Sequence, residues 1–196
     1  MKTRIKNSRR PFIVITLLPI LLIIASCKQN EGQAQVVSVS KTAVKPPSVD
    51  IHIAVMTNNI KAVKQHIDAG TNLNQKDPLG GSSPLISASL FGRTEIAKLL
   101  IDAGADLNVQ NNDGSTALLT ASFFCYPEIV KMLLDKGADK TIKNKYGSTA
   151  YESVAAPFNV VKGTYQSIEK MLQPLGVKFD YAHIEKTRPV IAGMLK

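Results

Sequence analysis

The side chains through which this 196-residue chain could do chemistry are few and dispersed. Its three histidines, His52, His66 and His183, include no pair at the spacing that holds a metal, and each is expected to be structural or exposed. Cys125 lies in "FFCYPE", where apolar neighbours raise a thiol's pKa and make it a poorer nucleophile. The acids Asp102, Asp106, Asp135 and Asp139 recur at a fixed offset of 33 instead of converging as an acid and base pair. No glycine-rich phosphate loop is present. The expectation is a chain that is not an enzyme, with no catalytic residue, metal, cofactor or small-molecule substrate.

The remaining thiol has a different setting. Residues 1–10, "MKTRIKNSRR", are basic and contain no acid; Pro11 to Ser26 is an uncharged apolar run; Cys27 follows at once. The run is shorter than the roughly 20 residues a spanning helix needs, and it carries Pro19 near its middle. A basic start, an apolar centre and small residues at the end make a secretory signal. The tetrad Ile24, Ala25, Ser26 and Cys27 resembles the lipobox of bacterial lipoproteins. That resemblance implies a signal peptide over 1–26, lipidation of Cys27 and anchorage to a membrane by acyl chains. An ordinary secretory signal or a short anchor helix are the alternatives. Lys28 in place of an inner-membrane retention Asp points to the outer membrane, facing the periplasm.

Of the 24 Lys and Arg residues, five fall in residues 1–26, leaving 19 against 15 acids. The basicity is therefore mostly a targeting feature, and the absence of a basic block argues against nucleic-acid binding. Residues 27–46 are polar, lack periodicity and read as a flexible linker. With Cys27 lipidated, Cys125 has no partner for a disulfide, so stability must come from packing.

Beyond the linker the chain repeats. Residues 82–111 and 115–144 agree at 14 of 30 positions with an offset of 33, and 49–77 fits the same frame. A period of this size means stacked supersecondary units. Within a unit, Ser83, Thr116 and Thr149 are positioned to cap a first helix, with Pro84 pre-set in φ for its first turn. Leu85 and Ala88, or Leu118 and Ala121, then share a face. A second helix carries Ile96, Leu99 and Leu100, or Ile129, Met132 and Leu133, as a buried stripe. Gly70, Gly104 and Gly137 close it.

"SPLISAS…EIAKLLIDAGADLN" and "TALLTAS…EIVKMLLDKGADKT" resemble ankyrin repeats. The resemblance implies an all-α solenoid of about four helix-turn-helix repeats with β-turn fingers, at 47–77, 78–110, 111–143 and 144–177, followed by a capping tail over 178–196. The family's usual glycine between helices is replaced by Asn58 and Cys125, and the last repeat is lengthened around "VVKGTYQ". The family frame places partner-facing positions at Leu79, Leu90, Phe91, Gln110, Asn112, Asp113, Phe123, Phe124, Lys143, Lys145 and Tyr146. Its Leu and Phe members suggest an apolar anchor with a polar rim, some of whose rings could instead pack between repeats. The implied partner is another protein in the bacterial envelope. Alternatives are an immunity or inhibitor protein for a toxin or enzyme, and an accessory factor for an envelope or oxidative-stress enzyme.

Overall fold

The computed structural model describes residues 44–196, so Cys27, the expected signal peptide and most of the expected linker lie outside the described residues. Nine α-helices are described: α1 Ile51–Met56, α2 Ile60–Asp68, α3 Pro84–Leu90, α4 Thr94–Asp102, α5 Ala117–Phe123, α6 Pro127–Asp135, α7 Ala150–Ala155, α8 Phe158–Leu172 and α9 Tyr181–Leu195. No strand occurs among the described residues. The described residues form the expected all-α architecture.

The short first helices begin where the sequence places their caps. The hydroxyls of Ser83, Thr116 and Thr149 accept from the backbone N–H of Ile86, Leu119 and Glu152. At Thr149 the Glu152 carboxylate also accepts from the cap N–H, completing a capping box. Between first and second helix the chain reverses through one left-handed residue: Asn58 (φ 56°), Gly92 (φ 61°) and Cys125 (φ 62°). Glycine suits that conformation, and at Gly92 a second constraint applies. A Cβ there would come within 2.4 Å of the Tyr126 ring.

The first helices α1, α3, α5 and α7 pack one on the next, and α2, α4 and α6 form a second layer behind them. Between the layers Leu85, Ile96, Leu100, Leu118, Ile129 and Leu133 are fully or almost fully buried. No repeat encloses these residues alone, so each is stabilised through its neighbours.

The fourth repeat departs from the expected boundaries. "SIEKMLQPLG" has the apolar spacing of a second helix, yet it lies in α8 and the 3-10 turn Gln173–Leu175 that follows. The helix that packs on α7 and α6, as a second-layer helix does in earlier repeats, is α9. The segment expected to be a capping tail thus covers the end of the stack as the second-layer helix of the last repeat, and α8 is an insertion ahead of it. Burial of Ile184, Arg188, Ile191 and Leu195 gives α9 its inward stripe.

Candidate protein-binding face

The fingers between repeats are built from one device used three times. The Asp77 carboxylate accepts from the N–H groups of Leu79, Gly80 and Ser82 at 2.9, 2.7 and 2.6 Å. Asn111 does the same for Asp113 and Ser115, and Asn144 for Tyr146 and Ser148. Partial burial pushes the Asp77 carboxyl upward, but the three N–H donors outweigh it and hold the group below the usual carboxylate range. Neighbouring fingers are tied together, Asn112 N–H donating to Gly80 O at 2.9 Å and Lys145 N–H to Asp113 O at 2.8 Å. The Gln110 amide donates to both Gly114 O and Lys143 O, and Lys76 Nζ donates to Gln110 O. The result is a row of turns fixed in register.

Seven of the eleven expected partner-facing residues sit on this row. Leu79 is 91% exposed and Tyr146 78% exposed, with Gln110, Asn112, Asp113, Lys143 and Lys145 exposed around them. The other four lie at the ends of first helices. Leu90 and Phe91 close α3 and are half-buried.

Phe123 and Phe124 close α5, but they do not form an open anchor. Phe123 stacks on Tyr165 of α8 with ring centroids 4.7 Å apart, and Phe124 meets Phe179 at 5.6 Å. Phe123 and Phe124 also meet edge to face at 5.1 Å, while Phe158 and Tyr165 approach to 6.0 Å. The inserted helix and the segment after it thus bring the chain's own aromatic rings onto the pair. Pairwise aromatic packing of this kind adds about 0.5–1.5 kcal/mol beyond area burial. The apolar patch expected around residues 90–124 is therefore divided, with its third-repeat half occupied from within.

Beneath that cluster is a polar group with no counterpart in the sequence reading. Tyr165 is fully buried; its hydroxyl donates to Phe123 O at 2.5 Å and accepts from Arg188 Nη1 at 2.8 Å. Arg188 Nη2 donates to Ala156 O at 2.9 Å. Cys125 is buried beside them, 3.8 Å from Ile184 O, and desolvation pushes its thiol up to about 11 despite the nearby guanidinium. As the sequence suggested, it is a poor nucleophile. Desolvation likewise raises the Tyr165 phenol. An arginine at a buried helical position interrupts an apolar pattern, so no periodicity could have singled out Arg188.

The histidines have separate roles. His66 is buried between Thr71 Oγ1 at 3.1 Å and Val49 O at 2.9 Å. His183 Nε2 lies 3.2 Å from Cys125 O, and His52 is half-buried in the first repeat. Among the described residues no three potential ligands converge on a metal position.

Comparison with known proteins gives one consistent result. Residues 51–144 match the sequence family "Ankyrin repeats (3 copies)". A stretch of 111 residues is 29% identical to the E3 ubiquitin-protein ligase KEG of Arabidopsis thaliana, covering 53% of this chain and 7% of that protein. Another of 64 residues is 38% identical to protein phosphatase 1 regulatory subunit 27 of Homo sapiens, covering 33% and 41%. Each match thus spans less than half of the relative. Among solved structures, the ankyrin repeat domain of Bcl-3, a member of the IkappaB protein family, aligns with a TM-score of 0.51 and 29% identity over 56% of this chain and 53% of that one.

Proposed function

Starting from an ankyrin-repeat stack, a protein–protein interaction module, we propose that this chain is held on a membrane of the bacterial envelope by lipid on Cys27 and presents its finger row to a protein partner there. The observation that carries the binding half is the row itself. Three fingers locked by backbone hydrogen bonds keep Leu79 and Tyr146 in solvent at its two ends, with Asn112, Asp113 and Lys145 between them. Exposed apolar residues on a pre-ordered frame lose little conformational freedom on binding, which favours affinity. Cys27, at the end of an uncharged run after a basic start, supports the anchoring half. Two or more acyl chains hold a protein stably where a single one is marginal. The lack of an Asp after the cysteine favours the outer membrane, facing the periplasm.

The two halves separate experimentally. Cys27→Ser should abolish fatty-acid labelling and release the protein from membranes or leave the precursor uncut; persistent labelling refutes the anchor. Leu79→Ala and Tyr146→Ala should each weaken capture of the cross-linked native partner by roughly 2 kcal/mol with an unchanged circular dichroism spectrum. Full-strength capture by both variants refutes the finger row as the binding face.

A further inference from the structure

Arg188 is 2% exposed, and its charge is answered by no acid: none of the ion pairs among the described residues includes it. Its two hydrogen bonds go to neutral oxygens, those of Tyr165 and Ala156, and its Nε–H is buried with no acceptor. An unpaired buried cation is strongly disfavoured, and the usual remedy is a carboxylate in bidentate contact. The same residue lines a cleft of about 510 Å³ between α7, the α7–α8 connection and α9. That volume falls within the roughly 300–1,000 Å³ of sites that enclose small molecules. Tyr151, Val154, Phe158 and Ala192 supply apolar wall. Glu185 and Lys196, both exposed, also line it.

We propose that this cleft binds a small organic acid, its carboxylate paired with Arg188 and its apolar body laid against Tyr151, Val154 and Phe158. The site is separate from the finger row and depends on the insertion: Pro157 and Phe158, where α8 begins, form one wall, and α9 forms the other. This ligand differs from the sequence expectation of none, because that expectation rested on catalytic motifs and a buried arginine leaves no such trace.

Titration calorimetry and thermal melting of the full chain with benzoate, hexanoate, benzamide and inorganic phosphate test the proposal. At least one of the two acids should bind saturably and raise the melting temperature. Benzamide, with the shape of benzoate but no charge, and phosphate, with charge but no apolar body, should bind about tenfold more weakly or less. Arg188→Met should abolish acid binding. Because that change also strips a donor from Tyr165, Ala192→Phe serves as the second variant; it fills the cleft, leaves Arg188 in place and should also abolish binding. Failure of both acids to bind, equal binding of benzoate and benzamide, equal binding of phosphate, or acid binding retained in a folded Ala192→Phe each overturns the proposal and leaves Arg188 a structural cation.

Discussion

Removing one oxygen atom at residue 165 separates the two forces that dock the inserted helix. In Tyr165→Phe the ring keeps its stack on Phe123, but two hydrogen bonds disappear. One of them has a charged donor, the guanidinium of Arg188, and such bonds contribute about 1.5–3 kcal/mol against about 1 for a neutral pair. The loss also strands another Arg188 N–H in a buried region and leaves the Phe123 carbonyl with only the Cys125 thiol at 3.7 Å, and desolvated groups without good partners are costly. The expected destabilisation is therefore about 2–4 kcal/mol, large for a deletion that leaves no cavity of methyl size. Urea unfolding followed by circular dichroism measures it. A double-mutant cycle with Arg188→Met assigns it, because the two groups are in direct contact and should couple by about 1–3 kcal/mol. A loss below about 0.5 kcal/mol, or additivity in the cycle, would refute the claim that this pair locks α8 and α9 together.

Leu100→Ala and Leu133→Ala remove fully buried side chains from the shared core and should each cost about 2–5 kcal/mol by denaturant unfolding; a melting shift under about 1 °C would mean that the helical face is misassigned. Asp77 supplies a pH dependence: its folded pKa is depressed, so the stabilisation it gives the first finger is complete above the unfolded carboxyl value of about 3.9 and lost as pH falls through the lower folded value. Asp77→Asn, which installs the side chain that Asn111 and Asn144 use in the next fingers, should flatten that acid-side loss in amide exchange at Leu79 and Gly80; an unchanged acid profile would contradict the assignment.

The repeats were legible in the sequence because each local signal had one meaning. Ser83, Thr116 and Thr149 are caps by chemistry, and the stripe of Ile96, Leu99 and Leu100 is helical by spacing. The fingers were legible only as polar turns, since the bonds from Asn112 to Gly80 and from Lys145 to Asp113 join residues a full repeat apart. The last repeat was misread for a physical reason. Ile168, Met171 and Leu172 reproduce the second-helix spacing, whereas the true second-layer helix sets its buried positions at Ile184, Arg188, Ile191 and Leu195. Arginine stands at one of these positions and Pro189 beside it, and both argue against a buried helix when read alone. The partner-facing set shared this fault: Phe123 and Phe124 looked free because the rings that meet them, Tyr165 and Phe179, belong to the misread region.

The insertion of α8 also sets an order of events during folding. In the third repeat α5 and α6 are near neighbours in sequence, but α7 must wait for α9, roughly three times as far along the chain. Closing a loop that much longer costs on the order of 1 kcal/mol more in chain entropy. Three repeats can therefore assemble from contacts within and between adjacent units while the fourth remains open, its α7 and the back of α6 uncovered. The final helix acts as a clasp: a nascent chain that stops short of Ile184 has its finger row but not its closure, and the uncovered flank is the part of the protein that proteases and chaperones would meet first.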